Sequence, residues 1–125
     1  MENKKLPTYG NGKICYIEIP SDDLIASMAF YKTVFNWTTR RRSDGSVAFD
    51  DAVGEVSGTW VFGKKPATNP EILIYIMVFN IKETIVVIET MGGKIILPES
   101  KIGSEIISKF SDPTGNVFGL YQQPN

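Results

Sequence analysis

The chain has 125 residues, 42% of them hydrophobic, which suits one globular domain or two very small fused modules. Its formal net charge of −1 gives no reason to expect a nucleic acid or an anionic membrane as partner. There is no histidine, and the single cysteine, Cys15, excludes an intramolecular disulfide. The polar N-terminus and the lack of an apolar run of ~18 residues predict a cytoplasmic protein without signal peptide or membrane span.

The first half of the chain predicts a strand, a helix and three more strands after an irregular lead-in, residues 1–12. Ser21–Asp23 offers N-cap side chains to a helix whose apolar residues recur at helical spacing. The predicted elements are a strand at Ile14–Ile19, a helix at Leu24–Phe35, and strands at Thr38–Arg42, Ser46–Asp50 and Val56–Phe62.

The second half repeats that order after a linker, residues 63–70, which contains Pro66 and Pro70. Gly92–Gly93 predicts the end of a helix, and Pro98 predicts the end of a strand. The predicted elements are a strand at Ile72–Phe79, a helix at Ile81–Met91, and strands at Lys94–Leu97, Ile106–Phe110 and Val117–Gln122. This order predicts an internal repeat that aligns Tyr16 with Leu73.

A turn, Asp112–Asn116, leads into the last strand. Pro113 fixes φ there, whereas Gly115 permits and Asn116 tolerates a positive φ. The turn therefore has a structural role, and we do not count it as an active site.

Three segments together resemble the vicinal oxygen chelate superfamily, which holds the glyoxalase I, bleomycin-resistance, fosfomycin-resistance and extradiol-dioxygenase proteins. They are Ile17–Trp37, Met91–Pro98 and Phe110–Leu120. The resemblance implies an α+β fold in which two tandem βαβββ modules form a curved mixed sheet around a cavity, with the helices outside. It implies a single domain over residues 1–125, with module one at 13–62, module two at 71–122, and a homodimer as the common assembly.

The resemblance also implies a divalent metal held by His, Glu or Gln on the first and last strand of each module. Those positions fall on Tyr16, Leu73 and Gly119, and the last strand of module one offers only Ser57 and Thr59. Leu and Gly have no donor side chain, and Tyr is a rare ligand. We therefore expect no metal, unless a shift of one residue brings Glu18, Glu55 or Gln122 into a ligand position.

Strand alternation predicts which side chains line the cavity. Cys15, Ile17 and Ile19 should face the helix of module one, and Ile72, Ile74, Ile76 and Val78 that of module two. The predicted ligand-binding cavity consists of Tyr16, Glu18, Trp60, Leu73, Tyr75, Met77, Val117, Gly119 and Tyr121. Such an aromatic, mostly apolar pocket suits a flat or amphipathic small molecule.

Several of these residues also have a structural interpretation. Glu18 is either a catalytic base or a strand-end carboxylate near the cavity mouth that is solvated or paired with Lys13 or Arg40. Tyr16 and Tyr75 either fill the core or contact a ligand. Cys15 is expected to be buried packing and not a nucleophile. We interpret Arg40–Arg42 as a solvated strand end and not as a phosphate site.

Three functions remain open at this stage. The first is a metal-free protein that binds a small organic molecule. The second is a lyase, isomerase or dioxygenase of the glyoxalase type, with Glu18 as base and a divalent metal held by Glu18 with Gln122. The third is a module for protein association only. With no histidine, a Ser-His or Cys-His nucleophile pair is excluded.

Overall fold

A computed structural model describes residues 7–124; the first six residues of the predicted lead-in lie outside this range. Residues 7–15 contain no helix or strand. Module one forms a four-stranded sheet in the order β1-β4-β3-β2, with β1 parallel to β4 and the other pairs antiparallel. Its elements are β1 (Tyr16–Pro20), α1 (Leu24–Phe35), β2 (Thr38–Arg41), β3 (Val47–Asp50) and β4 (Ser57–Val61).

Module two has the same order and the same pairing pattern. Its sheet runs β5-β8-β7-β6, again with the first and last strands parallel. The predicted internal repeat and the α+β fold class are therefore confirmed. The elements are β5 (Tyr75–Met77), α2 (Ile81–Thr90), β6 (Lys94–Ile102), β7 (Glu105–Ser111) and β8 (Val117–Gln122). No helix in the described part of the chain is long and apolar enough to cross a membrane.

The sequence places the helices better than the edge strands. Helix α1 begins and ends as predicted, with the Asp23 carboxylate accepting the Ala26 N–H at 3.1 Å. Strand β5 is shorter than predicted, and β6 continues through Pro98. Because β6 is an edge strand with two register shifts against β7, a proline without an N–H leaves no hydrogen bond missing there.

One aromatic core joins the two modules. The Tyr31 ring of α1 lies 4.7 Å from the Trp37 ring and 6.0 Å from Trp60 in module one. It also lies 6.0 Å from Phe118 of β8, and Phe110 of β7 lies 5.6 Å from Phe35 of α1. The helix-facing sides of both sheets therefore pack on a single cluster.

The opposite sides of the two sheets remain open. The sheets share no strand pairing and do not close on each other. A cavity enclosed by both modules of one chain, which the resemblance implied, is therefore not formed. This is a correction to the expected shape and not to the fold class, and it follows from the shared core on the helix-facing side.

The turn before β8 ties the modules together through hydrogen bonds. The buried Asp112 carboxylate accepts the Tyr31 hydroxyl at 2.6 Å and the Asn116 N–H at 2.9 Å. Asn116 donates its side-chain amide to the Pro20 carbonyl at 2.7 Å and accepts the Ala67 N–H at 2.9 Å. Gly115 adopts the expected positive φ, whereas Asn116 does not use its tolerance for one and acts through its side-chain amide.

Tyr31→Phe should reduce the free energy of unfolding by about 1–3 kcal/mol, because Asp112 would stay buried without its hydroxyl donor. Chemical denaturation measures this. Tyr9→Phe is the matched control, since Tyr9 is 87% exposed, and it should have almost no effect. Equal stabilities of the Tyr31 and Tyr9 variants would contradict the role of this hydrogen bond.

Burial, followed by the neighbouring Asp112 carboxylate, raises the pKa of Tyr31 well above its ordinary value. The neutral phenol is therefore favoured in the folded state, and its contribution is complete below the pKa of an unfolded tyrosine, about 10. As pH rises from there towards the folded pKa, stability should fall by about 1.4 kcal/mol per pH unit more in wild type than in Tyr31→Phe. Parallel pH profiles of the two proteins would contradict this.

Candidate functional site

Strand alternation identifies the open faces correctly. Ile17 and Ile19 of β1, and Ile76 of β5, pack on the core, as do Phe118 and Leu120 of β8. Their neighbours on the other face remain accessible: Tyr16 is 44%, Tyr75 is 45% and Met77 is 57% exposed. Ile72 and Ile74 do not follow the predicted pattern and are exposed, because β5 begins only at Tyr75.

The nine residues of the predicted cavity do not form one site. Tyr16 lines a cleft on module one, whereas Glu18 and Val117 line a crevice of about 80 Å³ between β1 and the start of β8. Five of the residues that line neither lie on or beside the open face of module two: Leu73, Tyr75, Met77, Gly119 and Tyr121. With Trp60 in the core, the predicted lining is divided among four places.

Trp60 was expected in the cavity but lies in the core, 4.8 Å from the Phe49 ring. The register explains the error. Trp60 is paired with Ile19 across β1 and β4, and paired residues share a face of the sheet. Its indole N–H is buried and has no hydrogen-bond partner within the described residues.

Cys15 was expected to be buried against the helix but is exposed. It precedes β1, so the alternation of the strand does not extend to it. Its side chain lies in the wall of the module-one cleft.

The module-one cleft has a volume of about 450 Å³, within the range of small-molecule pockets. The irregular segment before β1 forms one wall, and strands β1, β2 and β4 provide the other. Its lining residues are Pro7, Thr8, Tyr9, Gly10, Lys13, Cys15, Tyr16, Arg40, Glu55 and Ser57. No residue of module two contributes to it.

Two ion pairs fix charged groups in the cleft wall. Lys13 lies 3.3 Å from Glu55, and Thr8 donates both its N–H and its hydroxyl to the same carboxylate. These contacts, chiefly the N–H of Thr8, lower the pKa of Glu55. Arg40 binds Asp50 through Nε and Nη2, each at 3.1 Å, and Ser57 donates its hydroxyl to Asp50 at 2.6 Å.

Tyr16 has a cationic neighbour. Arg42 donates from Nη1 to the Tyr16 hydroxyl oxygen at 2.9 Å. Its own position is fixed by Ser46, whose hydroxyl accepts from Arg42 Nε at 2.9 Å. Strand β2 is exposed along its length, as expected of a solvated strand end, and Arg42 in addition contacts Tyr16.

Glu18 is solvated. Its side chain is 55% exposed and lies 3.6 Å from Lys64, and not beside Lys13 or Arg40 as the sequence suggested. Gln122, its proposed partner in metal binding, accepts the first N–H of α2, from Ile81, at 2.8 Å. The two side chains therefore have separate structural partners.

The ring of Tyr75 covers Gly119. A Cβ built on Gly119 would lie 2.5 Å from two carbons of that ring, far inside contact distance. The close neighbour of this glycine is thus a side chain of its own module. Beside it, Tyr121 donates its hydroxyl to Glu105, and this hydrogen bond raises the pKa of Tyr121.

The side chains at the metal positions of the superfamily do not fit a divalent ion. The Tyr16 oxygen already accepts from a guanidinium, whose charge would repel a metal cation, and the Tyr75 ring occupies the space over Gly119. In residues 7–124, no group of three or more His, Cys, Asp or Glu side chains could hold a metal ion. We derive no reaction step through a metal.

Paired βαβββ modules with open, aromatic sheet faces define a class of protein that is recognisable by fold. The model of the glyoxalase/bleomycin resistance protein/dioxygenase superfamily matches residues 13–120. The chain therefore belongs to that superfamily, as the three sequence segments indicated. No curated protein matches it.

Solved structures with the same fold are distant in sequence. The fosfomycin resistance protein FosX from Listeria monocytogenes has a TM-score of 0.74 at 18% identity, covering 90% of this chain and 91% of that one. A superfamily member from Sphaerobacter thermophilus has a TM-score of 0.73 at 17% identity, covering 90% of this chain and 98% of that one. The hypothetical protein SA1046 from S. aureus has a TM-score of 0.72 at 15% identity, covering 92% of this chain and 96% of that one. At these identities the likeness establishes the fold alone.

Sequence reasoning missed the cleft, its lining residue Lys13 and the contact of Arg42 with Tyr16. Lys13 and Arg42 come together with Glu55 and Tyr16 only after folding, across 42 and 26 positions. The available signal was the run Arg40–Arg42, since a charged side chain on a strand can lie on the same face as an aromatic residue of a neighbouring strand.

Gly119→Ala should destabilise the protein by about 1–3 kcal/mol, because the new methyl group would overlap the Tyr75 ring. Adding Tyr75→Ala should recover most of that loss, which a double-mutant cycle measures. Gly10→Ala is the control, since a Cβ there meets nothing within 4 Å. Additive effects of the two substitutions would contradict the packing of Tyr75 on Gly119.

Proposed function

We propose that this superfamily member is a metal-independent, cytoplasmic protein that binds a small organic molecule. The observation that carries the proposal is the packing of Tyr75 on Gly119, which places an aromatic ring where the family pattern has a metal ligand. The Arg42–Tyr16 hydrogen bond supports it on module one. The cleft of about 450 Å³ beside Tyr16 is the binding site.

A homodimer is part of this proposal. Large apolar side chains on and beside β5 lack a cover in the single chain: Ile72 is 82%, Met77 57% and Phe79 93% exposed. Strand β5 is also a sheet edge, paired only with β8 within the described residues. A second copy would bury this surface and bring a module-two face over a module-one cleft.

The enzyme alternative receives no support from the geometry. A general base acts on a substrate in a site that excludes water, whereas the Glu18 side chain is 55% exposed and paired with Lys64. The alternative of a pure association module is disfavoured by the open cleft, which no side chain of residues 7–124 fills.

Divalent metals should not stabilise the purified protein. A metal at 100 times its Kd would add about 2.7 kcal/mol to the free energy of unfolding. We expect no rise of the melting temperature with Mn²⁺, Zn²⁺ or Ni²⁺, and no retained ion in native mass spectra. One stoichiometric ion per chain, with a matching thermal shift, would refute the metal-independent function.

Met77→Asp should convert the dimer to a monomer, because it introduces a charge into the uncovered apolar surface. Val86→Asp is the matched control: Val86 is 62% exposed, but on α2, and this variant should remain dimeric. Light scattering after gel filtration gives the masses. A monomeric wild type, or a dimeric Met77 variant, would contradict the proposed assembly.

A further inference from the structure

The polar groups of the module-one cleft differ in what they can still bind. Among the lining residues within the described range 7–124, the one carboxylate is Glu55, and its two oxygens already accept from Thr8. Lys13 also pairs with it, at 3.3 Å. This acceptor is therefore occupied by the protein itself, and it offers little to a ligand that carries donors.

The donors of the cleft are less completely used. Arg40 uses Nε and Nη2 on Asp50, which leaves Nη1 without a bond to that carboxylate. The Tyr16 oxygen accepts from Arg42, so the Tyr16 hydroxyl keeps its own hydrogen for another acceptor. The cleft thus offers free hydrogen-bond donors, and a complementary ligand must carry oxygen acceptors.

The charge balance around Tyr16 favours an anion. Lys13 and Arg40 are neutralised by Glu55 and Asp50. Arg42 forms no ion pair with a carboxylate of residues 7–124, and Asp44 directs its Oδ1 to Ser46 instead. The guanidinium of Arg42 is balanced only in part, by the nearby Asp44 carboxylate with which it forms no ion pair. Its remaining positive charge lies beside the Tyr16 hydroxyl and strengthens a hydrogen bond from Tyr16 to an anionic oxygen.

The rest of the cleft suits an apolar or aromatic body. Pro7, Tyr9 and the ring of Tyr16 line it, and these offer flat surfaces for stacking. A volume of about 450 Å³ accommodates a molecule of one or two fused rings.

We propose that the module-one cleft selects small aromatic carboxylates, with the Tyr16 hydroxyl donating to the carboxylate and Arg42 supplying the charge behind it. This inference rests on the proposed small-molecule function and names its ligand class. Arg42 acts as a positioning residue through Tyr16.

Three probes of one shape test the selectivity: 1-naphthoate, 1-naphthamide and 1-naphthylmethylammonium, titrated into the full chain by calorimetry or ligand-observed NMR. We expect the carboxylate to bind about tenfold or more tightly than the amide, and the ammonium to bind weakest. Equal binding of carboxylate and amide would overturn the anion selectivity and leave the small-molecule function intact. Binding of none of the three would overturn both.

Two adjacent arginines provide a matched pair of variants. Arg42→Gln should weaken naphthoate binding about tenfold and leave naphthamide binding almost unchanged. Arg41→Gln makes the same charge change, but Arg41 donates to the Gly45 carbonyl at 3.0 Å and does not reach Tyr16, so it should keep wild-type affinity. An equal loss of naphthoate affinity in both variants would show that only the net charge of the protein matters, and it would contradict the role of Arg42.

Tyr16→Phe tests the same contact without altering the charge of the protein. It should weaken naphthoate binding and so reduce the ratio of the naphthoate affinity to the naphthamide affinity. Circular dichroism and thermal melting establish that each variant is folded, and an unchanged ratio in a folded Tyr16→Phe protein would overturn the proposal.

Discussion

The buried carboxylate of Asp112 is the contact on which the arrangement of the two modules depends. It accepts from Tyr31 in module one and from Asn116 in its own turn, and Asn116 binds the end of β1 and the linker. A buried charge is tolerated only when it is hydrogen-bonded, so this set of partners fixes one relative placement of α1, β1 and β8. The aromatic core around Tyr31 then packs on both sheets.

That placement determines what the molecule can do. With the helix-facing sides joined in one core, the faces that carry Tyr16 and Tyr75 are open and separate. The two faces differ: the Arg42 guanidinium donates to the Tyr16 hydroxyl oxygen, whereas the Tyr75 ring fills the space over Gly119. Within residues 7–124, neither face brings together three or more His, Cys, Asp or Glu side chains that could hold a metal ion, while module one has a cleft of small-molecule size.

Local pattern was sufficient to predict α1, β8 and the alternation of faces, because helical spacing, capping by Asp23 and the period of a strand are properties of neighbouring residues. The position of Trp60 depends on the register of β4 against β1, and that of Cys15 on where β1 begins. Such errors arise from tertiary pairing, which the order of residues along one strand does not specify.

The proposed function requires that the positions of the family's metal ligands serve aromatic packing and hydrogen bonding instead of metal binding. Anomalous diffraction from crystals grown with millimolar MnCl₂ distinguishes the two roles. We expect no manganese peak within bonding distance of the Tyr16 oxygen, with Arg42 on Tyr16 and the Tyr75 ring over Gly119. A peak coordinated by Tyr16 or Glu18, with Arg42 turned away, would contradict it.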